Sequence, residues 1–313
     1  MLKLTDRWIW DSWFVFDGEK HHVFYLSAPR DLVDPNLRHR NPTIGHAVSS
    51  DLKTWEVLPD AIAPSLEPAF DSWTTWTGSV VKDQQGLWWM FYTGTSKEDG
   101  GDIQRVGAAT SRDLVSWTKV SKEALLDAGS EHYELLDYNK WHDQAFRDPW
   151  VFFHSDNLWH MFVTARATHG EKFSRGVVGH ATSKNLRDWE LLPALTEPNA
   201  GFGQLEVLQV EVIDGVPTLI WCCGTPELSD EAKARYGAGG MFSVTGESVL
   251  GPFDIRKAVR LPHPSLYAAR AVQHQGKWYM LGFINEVDGK FVGELSDPIP
   301  LKISGTGLTI ASS

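Results

Sequence analysis

GLWWMFYTGT (Gly86–Thr95) decides the fold, because its order of turn residue, aromatic, apolar and aromatic comes back four more times along the chain. The other copies are GEKHHVFYLSA from Gly18, NLWHMFVTAR from Asn157, GVPTLIWCCG from Gly215 and GKWYMLGFIN from Gly276. Their starts lie 68, 71, 58 and 61 residues apart. Each carries Asp, Asn or Gln near its front, which suits a tight hairpin turn, so each is read as the second strand of a hairpin. A second unit follows in the first three repeats: GHAVSSDLKTW from Gly45, GAATSRDLVSW from Gly107 and GHATSKNLRDW from Gly179. Weaker relatives, GMFSVTGESVLGPF from Gly240 and VGELSDPIP from Val292, stand in the last two.

Units of about sixty residues holding four short strands cannot bury both faces alone and stack about an axis as propeller blades. The chain is therefore expected to be all-β: a five-bladed β-propeller forming one domain over residues 1–313, with no linker dividing it. Helical turns are expected only in short stretches, Leu228–Tyr236 and Ser121–Ala128.

Composition bounds the partners. Hydrophobic residues make up 42% and charged residues 22%, enough apolar material for a full core. A formal charge of −11 would repel nucleic acid and anionic lipid. No apolar run is long enough to span a membrane, and Met1–Asp6 lacks the regions of a signal peptide, so a cytoplasmic protein is expected. The neighbours Cys222 and Cys223 are read as buried free thiols, since adjacent positions on a strand suit a disulfide poorly. The 15 Trp are read chiefly as core filler, with some left to meet the apolar faces of a sugar. No histidine spacing suggests a catalytic metal, and no cofactor is expected.

In a propeller the innermost strand of each blade faces the channel, so the segment before each hairpin is where chemistry gathers. Those segments are Trp8–Phe16, Trp76–Val81, Phe146–Phe152, Leu205–Val212 and Leu266–Val272. Three of them offer a carboxylate: Asp11, Asp148 and Glu206. A carboxylate among Trp, Phe and Val needs a partner or a task, and three on one axis suit acid/base chemistry. The plainer alternative makes them solvated turn residues or partners of nearby Arg. Glu211 competes with Glu206, but strand alternation is expected to put the two on opposite faces.

At these residues the sequence resembles the fructan-active propellers of glycoside hydrolase families 32 and 68. WDSW (Trp10–Trp13) resembles the levansucrase nucleophile motif, WTGS (Trp76–Ser79) its sugar-contacting motif, and RDP (Arg147–Pro149) the motif common to both families. GHAVSSDL resembles the first-blade signature of the invertases and LYAARAV their fifth-blade strand. Two departures stand out. Glu206 is followed by Val-Leu-Gln rather than the invertase Cys-Pro, and little chain remains after the fifth unit for the invertases' C-terminal β-sandwich.

The resemblance implies a retaining glycosidase or fructosyltransferase acting on β-fructofuranosides. Asp11 would be the nucleophile, Asp148 the transition-state stabiliser and Glu206 the general acid/base. Trp10, Trp13 and Trp76 would wall the sugar pocket. Arg147 would keep Asp148 ionised and meet a hydroxyl, or serve only as a salt bridge fixing the strand. Ser79 would donate to a hydroxyl or end a turn, and Arg270 would orient a polar end or stand as a rim charge. Two other readings stay open: an inverting family 43 arabinofuranosidase or xylosidase, and a noncatalytic sugar-binding propeller. A cytoplasmic enzyme would meet small saccharides such as sucrose, short fructo-oligosaccharides or fructose disaccharides. The loops Leu32–Asn41 and Ser96–Asp102 are expected to shape the acceptor side. The sequence is silent on oligomeric state.

Overall fold

Every repeated hairpin forms, and each grows outward into one blade. The computed structural model describes residues 1–311 and arranges them as five antiparallel sheets in chain order. The first blade comprises Arg7–Phe16, His21–Pro29, Thr43–Ser49 and Glu56–Ile62, and the next three repeat this meander. Their inner strands are Thr74–Lys82, Phe146–Phe153 and Glu206–Ile213. The fifth blade starts with Leu266–His274 and Lys277–Val287. Its second strand pairs with both Lys290–Leu295 and Ile299–Ser304, and Gly307–Ile310 forms the outer edge. The residues after the fifth repeat thus complete that blade.

Neighbouring inner strands pack side by side around the ring, the fifth against the first. The N-terminal segment helps to close it. Leu2 bridges Leu295, whose amide donates to the Leu2 carbonyl at 3.0 Å.

The second repeated unit has a local cause. Ser49, Ser111 and Ser183 accept from the amides of Asp51, Asp113 and Asn185, whose side chains in turn cap the next turn. The following Leu52, Leu114 and Leu186 take φ of 61°, 63° and 65° and are buried. The helix Asp230–Tyr236, capped by Ser229, falls within the expected stretch. Ser121–Ala128 does not become helical; Leu125 and Leu126 instead hydrogen-bond the Val106 carbonyl, a backbone pairing that short-range pattern does not reveal.

Each inner strand carries one extra residue against its partner: between Ile9 and Ser12, Trp76 and Gly78, Arg147 and Trp150, Glu206 and Gln209, and Tyr267 and Arg270. Such bulges re-aim side chains and release backbone groups from the ladder. Three of the bulged residues, Asp148, Val207 and Ala268, have φ of 58°, 54° and 44°.

Gly78 shows how tightly this ring is built. A Cβ there would collide with the Phe91 carbonyl oxygen of the adjoining strand, which is backbone and cannot rotate away. Gly78→Ala should therefore destabilise the protein by about 2 kcal/mol or more, the range for overpacking a filled site. Denaturant unfolding checks this, and an unchanged midpoint would contradict it.

Candidate active site

The bulges of the first, third and fourth blades bring Asp11, Asp148 and Glu206 to one cavity of about 790 Å³ at one mouth of the channel. Asp11 accepts a hydrogen bond from the Thr77 hydroxyl of the second blade. Burial, then the nearby Asp148 and Glu206, push its carboxyl up to about 7, against the opposing pull of Thr77 and Arg270. Asp148 is buried, with Oδ2 receiving Thr164 Oγ1 at 2.9 Å and the Val207 amide at 3.0 Å. Burial raises its pKa, while Arg147 and these donors work in the other direction.

Glu206 has a donor on each oxygen. Arg147 Nη2 donates to Oε1 at 2.8 Å, and the Tyr267 hydroxyl donates to Oε2. Arg147 also stands 3.5 Å from Asp148 Oδ2 and receives support from Gln104 and Gln204. Burial works against its charge, but Asp148, Glu206 and Asp143 hold it firmly protonated. One guanidinium therefore joins the carboxylates of two blades, and Asp148 is far more than a turn former.

Trp10 and Trp76 line the cavity as expected. Trp76 Nε1 donates to the His39 carbonyl at 2.9 Å, and Arg38 lies over Trp10 at 5.8 Å. Both partners come from the 3₁₀ turn Pro35–Arg40, so the Leu32–Asn41 segment does reach the pocket. The Ser96–Asp102 loop does not line it. It receives Arg40 on the Gly101 carbonyl and Asp102 instead, at 2.7 and 2.8 Å.

Three expected sugar contacts fall elsewhere. Trp13 is fully buried and stacks on Phe24, because the bulge beside Asp11 turns its ring into the core. Ser79 is buried and accepts from the Val151 amide at 3.1 Å, latching the second blade to the third. Arg270 is neither a rim charge nor part of the cavity that holds Asp11. It is buried in the channel, where it donates to the carbonyls of Val207, Leu208 and Gly78. Burial lowers its pKa to about 10.

The alternation argument against Glu211 also needs correction. The bulge between Glu206 and Gln209 restores the phase, so both glutamates face the channel. They are kept apart along its axis. Glu211 lines a separate pocket of about 280 Å³ with Trp150 and Trp278.

Sequence reasoning missed Thr77, Tyr267, Gln104, Gln204 and Glu227. Tyr267 lies inside the LYAARAV segment already singled out, and that membership was the usable signal. Glu227 offered none, since it follows the second strand of the fourth blade in a short turn. Gln204 Nε2 donates to its Oε1 at 3.1 Å, while Oε2 has no partner among the described residues. Burial, then Glu206, push its pKa up to about 8.

The family model for the glycosyl hydrolases family 32 N-terminal domain matches residues 7–294. The chain belongs to glycosyl hydrolase family 32. Among family 32 relatives, the sucrose-6-phosphate hydrolase of Zymomonas mobilis is 31% identical over 189 residues, covering 59% of this chain and 33% of that enzyme. The sucrose:sucrose 1-fructosyltransferase of Festuca arundinacea is 24% identical, covering 88% of this chain and 42% of that protein. The matches thus span less than half the length of these relatives. Inulosucrase from Halalkalicoccus jeotgali, solved with kestose, superposes with a TM-score of 0.79 at 22% identity over 98% of this chain and 90% of that one. The Bombyx mori β-fructofuranosidase BmSUC1 gives 0.77 at 22% identity, covering 99% of this chain and 64% of the other. Both superpositions carry the fold.

Asp11 has a stability consequence independent of substrate. Its folded pKa of about 7 lies above the ordinary 3.8, so the folded state holds the proton more tightly than the unfolded chain. The contribution of this group to stability then falls as pH rises from about 4 to about 7. Asn carries no charge to desolvate. Asp11→Asn should raise the melting temperature by about 5 °C at pH 8, with the gain shrinking toward pH 4. Thermal unfolding across pH tests this; equal or lower melting at pH 8 would contradict it.

Proposed function

We propose that this family 32 propeller transfers fructofuranosyl units from small β-fructofuranosides to water or an acceptor sugar, with retention of configuration. The observation that carries this reading is the convergence of Asp11, Asp148 and Glu206 in one cavity, with Arg147 joining the second to the third. In the proposed cycle, an Asp11 oxygen attacks the anomeric carbon of the fructosyl unit. Glu206 gives its proton to the glycosidic oxygen as that bond breaks. The carboxylate so formed then takes a proton from the incoming hydroxyl, which attacks the fructosyl–Asp11 ester.

Thr77 would hold Asp11 in line, and Arg147 with Tyr267 would hold Glu206. Asp148 would remain ionised against the sugar hydroxyls and gain strength as oxocarbenium character develops. Trp10 and Trp76 would stack on the apolar faces of the sugar. The reading includes a cytoplasmic setting, which suits two buried cysteines left as free thiols. Among the described residues no helix is long and apolar enough to cross a membrane.

Time-resolved proton NMR with sucrose, 1-kestose and an aryl arabinofuranoside tests the reading. β-Fructofuranose should appear first from the fructosides, and Asp11→Asn and Glu206→Gln should each lower the rate by about 10³-fold. An inverted product, or a reaction confined to the arabinofuranoside, would make Asp11 a general base and the enzyme family 43-like in action.

Charge narrows the substrate further. Six carboxylates line the cavity, Asp11, Asp143, Asp148, Glu206, Glu227 and Glu286, against the guanidiniums of Arg38 and Arg147. Even with Asp11 and Glu227 protonated, a phosphate would meet net negative charge. Sucrose should therefore exceed its 6-phosphate in kcat/KM by at least about tenfold. Preference for the phosphate in a direct competition assay would refute this.

A further inference from the structure

We infer that the hairpin turn of the third blade is a zinc site built from His154, Asp156 and His160. The turn joins Phe146–Phe153 to Trp159–Arg166, His160 follows it on the second of these strands, and none of the three candidate ligands lines the catalytic cavity. One ligand atom from each lies within 4.8 Å of the other two. His160 Nε2 stands 2.9 Å from Asp156 Oδ2, and His154 Nδ1 stands 3.4 Å from Asp156 Oδ1. Ligands on a tetrahedral zinc, bonded at roughly 2.0–2.1 Å, are about 3.3 Å apart, so small rotations would close the set.

Two features separate this turn from an ordinary hydrogen-bonded one. His154 Nδ1 is buried without a hydrogen-bond partner among the described residues although it faces a carboxylate. The first blade also supplies an internal comparison. There Asp17, His22 and His46 form the same chain as Asp156, His160 and His180, with His22 Nε2 at 3.1 Å from Asp17 Oδ2 and His22 Nδ1 at 2.9 Å from His46 Nε2. The residue two before Asp17 is Val15, whereas the residue two before Asp156 is His154. The paired Asp and His are thus a repeated structural device, and only the third blade adds a third ligand.

The next layer fits a metal as well. His160 Nδ1 lies 2.9 Å from His180 Nε2, which can fix the ring so that Nε2 presents its lone pair. Zinc would then take the place of the proton between His160 and Asp156. Two imidazoles and one carboxylate favour zinc over calcium or magnesium, which take oxygen ligands, and leave one position for water. The ion would clamp the end of the strand that carries Arg147 and Asp148.

Isothermal titration of Zn²⁺ into metal-free full-length protein, paired with thermal unfolding, tests the site. One equivalent should bind and raise the melting temperature, and His154→Ala and Asp156→Asn should each weaken binding by at least about tenfold. His154→Ala should leave the fold intact, because this side chain is partly exposed and its Nδ1 makes no hydrogen bond. Absence of saturable binding would overturn the inference. So would zinc that binds His154→Ala as tightly as the wild type, the result expected of an ion held by the cavity carboxylates.

Discussion

One extra residue in each inner strand sets the terms for everything at the axis. A bulge withdraws backbone groups from the ladder, and groups withdrawn into a dry channel must find other partners. Here charged side chains supply them. The freed Val207 amide donates to Asp148, while the carbonyls of Val207, Leu208 and Gly78 accept from Arg270. The charges at the centre of the ring are thus part of its hydrogen bonding, and they tie the blades to one another.

The same arrangement prepares acid/base chemistry. Burial raises the pKa of Asp11 and of Asp148, and the guanidiniums of Arg270 and Arg147 respectively oppose it. Arg147 lies within the cavity, between Asp148 and Glu206, and Arg270 lies beneath it. Asp11 has the Thr77 hydroxyl as its direct partner, and burial with the nearby carboxylates pushes it up to about 7.

Much of this was legible along the chain. The Ser-x-Asp/Asn-Leu turns and the hairpin turns at Asp17, Asp83 and Asp156 are local in origin, since their side chains hydrogen-bond their own backbone within a few residues. The repeat therefore announced five blades and located the inner strands, and with them Asp11, Asp148 and Glu206. The phase beyond each bulge was less accessible. The resemblance assigned Trp13 to the pocket and alternation assigned Glu211 to the opposite face, and the bulges of their strands overturn both. Tyr267 and Glu227 escaped because their importance lies in what other blades place beside them.

The amino-acid sequence by itself determined the propeller, its blade count and the membership of the three carboxylates, because hydrophobic period and turn chemistry act over a few residues. Only the tertiary structure decided which side chains share the cavity, which serve as latches and how the charges balance. Those outcomes depend on bulge register and on contacts between residues far apart in the chain, such as Arg147 with Glu206 and Arg270 with Gly78. No local pattern encodes them, since each contact exists only once the ring has closed.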